Sequence, residues 1–322
     1  NLYNLLMLKS EDHFLEIVNS IFPRVHEHMQ VGRGDDCAVL KCPERMCVTS
    51  DLFLEDVHFR LSYFSPEDVG HKALAVNLSD LAAHGADPLG FNLNLIWPGY
   101  LDEVFCRRML KGMAGLAEQF DLALTGGDLS FGNCLGMAIT IWGRGPQKDL
   151  LRGRCLPGDV LFVVGELGLS RCGLLVLEEN QGQAHKYPLS LRSHLRPYPL
   201  VQEGRILAKQ GVIKGLMDVS DGLARDLPRF LAPGTGADID LTVALNPEVA
   251  AFCRAMDLDP VVFSLLGGED YALLGGCRAD DWTRVQEELS WAWQLGKVVQ
   301  GEGIYLQGQK VLLKGFDHFE KQ

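Results

Sequence analysis

The feature that most constrains this chain is a recurrence: short apolar runs end at an aspartate or a glycine turn, and longer segments with helical spacing separate them. "VTSD" closes on Asp51, "TGGD" on Asp128, and "MDVSDG" carries Asp218 and Asp221. "GRGDDCAVL" sets Asp35 and Asp36 ahead of a strand-like run, and "NLSD" puts Asp80 inside a helix-like one. Such runs and helical segments in alternation predict strands and helices in alternation, with carboxylates placed repeatedly where apolar runs end.

The best-marked helix begins at Ser65. Pro66 suits the first helical position, Glu67 and Asp68 favour the positive end of the helix dipole, and Ser65 with Asp68 resembles a capping box. The helix is expected to run to about Ala83, stopped by Gly85 and Pro88. Asn77, Asp80 and His84 share one of its faces, so an otherwise apolar helix turns a polar stripe toward something. "LGFNLNLIW" follows as a strand, Asp102 to Phe120 as a helix, and "LALTGGD" and "LGMAITIWG" as strands. The segment from Pro146 to Gly158, rich in Arg, Gly and Pro, is the best domain boundary. Beyond it lie the strand "DVLFVVG", a helix from about Ser170, a polar stretch near 180–194, a helix from Pro199 to Gln210, and a mixed second half.

A chain of 322 residues exceeds one ordinary core and suggests two domains. With 47% hydrophobic and 22% charged residues it is globular. Its 42 acidic residues outweigh 30 basic ones for a net charge of -12, and no long basic run is present, which argues against a nucleic-acid partner. The nine cysteines contain no C-x-x-C pair and suit a reducing compartment as free thiols. No apolar run approaches the roughly 20 residues needed to span a bilayer, and no basic-then-apolar leader opens the chain. The expectation is a cytoplasmic protein that does not enter membranes.

Any one of these aspartates alone reads as turn or cap chemistry. Together they imply more. Carboxylates gathered in one place repel one another unless a cation lies among them, so the set points to a hard divalent ion held by oxygen, and magnesium is the natural choice. Common nucleotide signatures are missing: there is no G-x-x-x-x-G-K-[ST], no H-R-D with D-F-G, and "GRGDDC" puts Cys37 where a dinucleotide fingerprint needs its third glycine. His26 and His28 flank Glu27 at the wrong spacing for a zinc protease, and no serine stands in a G-x-S-x-G elbow. No covalent nucleophile is expected.

In order, "GRGDDCAVL", "TSDLFLEDVHF", "VGHKALAVNLSDLAAHGADP", "TGGDLS", "LRGRCLPGD", "MDVSDGLARDL", "LLGGEDYALL" and the terminal "GFDHF" resemble the thiamine-monophosphate kinase family. That family belongs to a superfamily with aminoimidazole ribonucleotide synthetase, selenophosphate synthetase and the hydrogenase maturation dehydratase. The resemblance spans about residues 32–319. "VHF", "GGEDY" and "GFDHF" favour the thiamine kinase over its cousins. It implies two domains, an N-terminal α/β domain over 1–147 and a C-terminal α+β domain over 148–322. N-terminal strands would form a barrel at a homodimer interface, with ATP in a cleft between the domains. The implied reaction is direct transfer of the ATP γ-phosphoryl group to the phosphate of thiamine monophosphate, with several magnesium ions. The alternatives are an aminoimidazole ribonucleotide synthetase-like ligase and a non-catalytic nucleotide-binding regulator.

Roles follow by resemblance where the motifs match. Asp36, Asp51, Asp80, Asp128, Asp218 and Asp221 would hold magnesium, with Thr49 and Ser50 lending oxygens near Asp51. Gly127, Asp128, Arg152 and Ser220 would meet ATP, and His58, Glu269 and Phe316 thiamine monophosphate. Asn77 would brace Asp80 from one turn earlier. Three residues depart from the family's usual pattern: Leu52 where Thr is frequent, Asp56 where Gly is frequent, and His84 where an apolar Met is usual. His84 is expected to line a rim, and Asp56 to act on the proton of His58 or to disturb its loop.

Overall fold

The computed structural model describes residues 8, 10–179, 181–242 and 245–312. It divides into two compact units: residues 1–81 with 87–145, and residues 82–86 with 146–322.

The first unit opens with helix α1 (Glu11–Ile21), whose N-cap Ser10 accepts from the His13 N–H, and a ribbon of β1 (Met29–Val31) and β2 (Val39–Leu40). Its main sheet is built from β3 (Met46–Leu54), β4 (Asp87–Pro98), β5 (Ala123–Gly132) and β6 (Gly136–Arg144) in the order β3-β6-β4-β5. Only β4 and β5 run parallel. Helix α2 (Pro66–Ala83) and helix α3 (Glu103–Gln119) link the strands. The capping box at Ser65 forms in both directions: the Ser65 N–H donates to Asp68, and the Asp68 N–H to Ser65 Oγ. The helices touch backbone to backbone, since a Cβ on Gly70 would stand 1.9 Å from the Met109 carbonyl and one on Gly112 2.1 Å from that of Glu67. No larger residue fits at either crossing point.

Strand alternation divides the sheet into two faces. Phe53, Phe91, Leu93, Leu95, Met137, Ile139 and Ile141 are buried on one. On the other, Val48 and Leu52 of β3 and Ile96 of β4 are exposed, at 55%, 60% and 42%.

The second unit carries a seven-stranded sheet in the order β13-β12-β9-β11-β7-β10-β8. Its strands are β7 (Val160–Val164), β8 (Ile213–Val219), β9 (Thr235–Ile239), β10 (Ala272–Cys277), β11 (Ala292–Gln300), β12 (Gly303–Leu306) and β13 (Gln309–Val311). The helices are α4 (Leu169–Glu179), α5 (Pro188–Leu195), α6 (Val201–Gln210), α7 (Leu223–Phe230), α8 (Pro247–Ala255), α9 (Pro260–Leu265) and α10 (Trp282–Glu288). One core, with Leu161, Val163, Met217, Leu227 and Phe230, lies under the sheet, and a second, with Cys172, Val176, Phe252 and Phe263, lies among the helices. The polar stretch near 180–194 contains helix α5, which buries Ser190 and His194. Among the described residues no helix is long and apolar enough to cross a membrane.

Candidate active site

In the first unit β3 and α2 bring three predicted ligands together. Alternation along β3 turns Thr49 and Asp51 to the helix side, where Thr49 Oγ1 donates to Asp80 Oδ2 at 2.5 Å. Burial, and then the nearby Asp80 carboxylate, push the Asp51 carboxyl up to about 6. Asn77 is 1% exposed and acts on Asp51 rather than Asp80: its Oδ1 accepts the Asp51 backbone N–H at 3.2 Å, while its Nδ2 donates to the Ala73 carbonyl.

The same alternation separates Ser50 from this group. Its hydroxyl donates to the Ile139 carbonyl and lies 3.0 Å from Thr140 Oγ1, across the open face. Asp128 is exposed and in cross-strand register with Asn94, on a row that continues through Ala138 to Leu52. Asp36 is exposed in the loop before β2, where its backbone N–H donates to Asp35. Among the described residues, Asp36, Asp51, Asp80 and Asp128 do not converge within 4.8 Å as a set.

Gly127 has φ +147, and a Cβ there would stand 1.7 Å from the Leu93 carbonyl. The glycine is required by the neighbouring strand itself. His58 closes a turn after β3: its Nδ1 accepts the Leu54 N–H at 3.1 Å, which leaves the proton on Nε2. Asp56, in the same turn, has φ 62, a left-handed conformation that glycine adopts without strain.

In the second unit, Asp218 is buried at the end of β8, in register with Leu273, and the chain turns through Ser220, Asp221 and Gly222 into α7. A second loop lies against this turn: the Glu269 N–H donates to the Ser220 carbonyl at 2.7 Å and the Tyr271 N–H to that of Val219 at 2.9 Å. Both Glu269 and Tyr271 are left-handed, with φ 61 and φ 51. Glu269 Oε2 stands 3.5 Å from Nδ1 of the buried His194. Asp221 is held by Arg229 at 2.6 Å and approached by Arg225 at 3.6 Å.

Two carboxylates the sequence reading passed over hold these loops in shape. Asp226, fully buried, accepts the N–H groups of Ser220 and Asp221, and loss of solvent pushes it up to about 6. Asp270 accepts from Gly168 and Ser170 at the start of α4 and is pushed up to about 7 by burial. The available signal was position: Asp226 stands inside "MDVSDGLARDL" and Asp270 inside "LLGGEDYALL". Arg152 is exposed in the loop before β7. His84 Nε2 lies 3.4 Å from Asp149, and both residues belong to the second unit. Phe316 and "GFDHF" fall outside the described residues.

Two chain-long comparisons fit this arrangement. Residues 34–145 match AIR synthase related protein, N-terminal domain, and residues 157–309 match AIR synthase related protein, C-terminal domain. The chain is therefore a two-domain α/β protein of the AIR synthase-related class. It is 35% identical over 286 residues to thiamine-monophosphate kinase of Bacillus subtilis, across 85% of this chain and 86% of that one. The crystal structure of thiamine monophosphate kinase from Aquifex aeolicus superposes with a TM-score of 0.75 at 30% identity, covering 84% of this chain and 90% of that one. A structure described as AaThiL complexed with AMPPCP and TMP superposes at 0.78, with 27% identity over 96% of this chain and 97% of that one. The chain belongs to the thiamine-monophosphate kinase family.

Proposed function

We propose that this enzyme transfers the γ-phosphoryl group of ATP to the phosphate of thiamine monophosphate, yielding thiamine diphosphate and ADP with the help of several magnesium ions. Beyond family membership, the observation that carries the reading is the set of Thr49, Asp51 and Asp80. It is an all-oxygen donor group, half-buried, in which one carboxylate raises the other's pKa, and that chemistry fits a hard dication. Magnesium held there would neutralise phosphate charge as two anions approach in line. Asp36, Asp128, Asp218 and Asp221 are assigned to further ions. Ser50, whose hydroxyl faces Thr140 on the other side of the strand, is assigned to an ion apart from the Thr49, Asp51 and Asp80 set.

The remaining roles are orientation and charge. His58, with its proton on Nε2, offers a donor to the phosphate of thiamine monophosphate. Glu269, fixed by its backbone bond to Ser220 and by His194, offers a carboxylate to the aminopyrimidine, and Phe316 an apolar face. Gly127, Asp128, Arg152 and Ser220 are assigned to ATP. The proposed domains over 1–147 and 148–322 are supported by the break between units at residues 145–146, although residues 82–86 group with the second unit.

The open sheet face supports a homodimer. Met46, Val48, Leu52 and Ile96 expose apolar surface there, and Phe131 at the end of β5 is 81% exposed, which suits strands closed into a barrel by a second copy. The nine unpaired cysteines support a cytoplasmic setting.

The test is ADP formation with ATP, magnesium and each acceptor in turn. Thiamine monophosphate should drive turnover. Turnover with formylglycinamidine ribonucleotide alone would instead favour the ligase reading, and silence with every acceptor the regulator. Light scattering at about twice the 35.6 kDa chain mass is expected.

A further inference from the structure

We propose that the loop at 26–28 and the turn after α3 form a binding site for a transition-metal dication of the zinc class, apart from the carboxylates assigned to magnesium. Glu27, His28 and Asp121 each bring one ligand atom to within 4.8 Å of the others. His28 Nε2 lies 3.8 Å from Asp121 Oδ2. That is too long for a hydrogen bond, but near the spacing of two donors on one tetrahedral ion, about 3.4 Å for bonds of about 2.1 Å. A small inward shift of either side chain completes the geometry.

His26 orients the carboxylate. Its Nε2 is 3.2 Å from the other oxygen, Asp121 Oδ1, and its Nδ1 accepts the backbone N–H of His28 at 3.4 Å. The proton therefore sits on Nε2, aimed at Asp121, the kind of outer hydrogen bond that fixes a ligating group. The chain flanking the two segments is also tied together by the Arg33 guanidinium. Arg33 donates to the Phe22 carbonyl at 3.0 Å and to the Leu124 carbonyl at 3.2 Å, which links the loop to the start of β5. Asp121 is held by its N–H to the Glu118 carbonyl at 3.2 Å.

The surrounding field favours a cation. Helix α3 ends beside Asp121 with no basic residue in its last turn, so the negative end of its dipole adds to two carboxylates. An imidazole with two carboxylates and no thiolate selects Zn²⁺, Co²⁺ or Ni²⁺ over Mg²⁺, which is held by oxygen. Glu27 and Asp121 are exposed and His28 is half-buried, so water can fill the fourth position and the ion can exchange. Bound there, it would staple the 26–28 loop to the strand that carries Gly127 and Asp128.

The full chain, stripped with chelator, is titrated with Co²⁺ and Zn²⁺ by calorimetry and absorption in excess Mg²⁺, which occupies the all-oxygen donors. One site per chain is expected, with a Co²⁺ spectrum free of thiolate charge transfer. His28→Ala and Asp121→Asn should abolish it, and His26→Gln should weaken it about tenfold. Asn tolerates the left-handed backbone at 121, where φ is 53, and unchanged melting in chelator checks the fold of each variant. Zn²⁺ should raise the melting temperature of the parent chain and not that of His28→Ala. The proposal is overturned by the absence of a site in the parent chain, by binding that survives both His28→Ala and Asp121→Asn, or by a thiolate band, which would assign the ion to the exposed Cys37, Cys42 or Cys134.

Discussion

The two units hold their candidate carboxylates in opposite surroundings. Near Asp51 burial comes first and the charge added to it is another carboxylate, Asp80, and together they raise the Asp51 carboxyl to about 6. At Asp221 two guanidinium groups of the helix that follows it, Arg229 at 2.6 Å and Arg225 at 3.6 Å, offset the nearby Asp226 carboxylate. The first set destabilises its own fold when ionised and gains from any cation that arrives. The second already holds protein cations, so an ion binding Asp221 must compete with Arg229. Similar residue types thus serve a site built to receive charge in one unit and a loop that neutralises itself in the other.

The sharpest way to break that contrast is to remove one charge from each set. Asp80→Asn keeps the acceptor for Thr49 Oγ1 but takes away the charge that adds to burial in raising Asp51. Turnover should fall about 10³-fold, equivalent to about 4 kcal/mol. The metal-free protein at pH 7 should become more stable by on the order of 1 kcal/mol. Asp226→Ala should do the reverse, losing about 2 kcal/mol with or without magnesium, because the Ser220 and Asp221 N–H groups lose their acceptor. Steady-state kinetics and chemical denaturation in chelator check both. A loss of metal-free stability in Asp80→Asn would end the comparison.

A smaller effect sharpens it through pH. Asp51 and Asp226 have folded pKa values of about 6 against an ordinary 3.8, and Asp270 one of about 7, so all three hold their protons more tightly folded than unfolded. The fold is favoured at low pH, and stability falls as pH rises from about 4 through those values. Across pH 4–7 the metal-free protein should lose on the order of 1–2 kcal/mol after allowance for solvent screening. Magnesium at pH 7 should restore the share due to Asp51 and leave those due to Asp226 and Asp270. Denaturation midpoints at successive pH values, with and without magnesium, separate the two.

Part of this architecture is legible in the sequence. The helix from Pro66 to Ala83 is written in full, with cap, dipole charges, apolar spacing and stop signals all agreeing. Helix α5 is not, because Ser190 and His194 are polar yet buried: Ser190 donates to Glu248, and the His194 ring meets Ser170. Polarity then misreports burial. The run Thr49, Ser50 and Asp51 does not by itself tell which oxygens share a face; the strand's period of two pairs Thr49 with Asp51 and sends the Ser50 hydroxyl to the far side. Asp226 looks like any residue on a charged helix, and only the loop folded back on it shows that its carboxylate holds backbone N–H groups. Long-range placement of this kind leaves no local mark.

The smallest expected effect lies at Asp56, an exposed carboxylate of the first unit. Its φ of 62 explains a glycine preference on backbone grounds, but Asp is among the residues that tolerate this region, and its N–H donates to the Phe59 carbonyl at 2.8 Å. Asp56→Gly relieves the left-handed strain and adds freedom to the unfolded chain, two terms that nearly cancel, so stability should stay within about 0.5 kcal/mol. Function should respond more than fold. The substitution removes a negative charge from the turn that carries His58, the residue proposed to meet the phosphate of thiamine monophosphate. The KM for thiamine monophosphate should fall about twofold while that for ATP holds, a change best seen at low ionic strength. An equal change in both would mean that Asp56 acts on the unit's whole field; no change in either would leave the residue as a turn former alone.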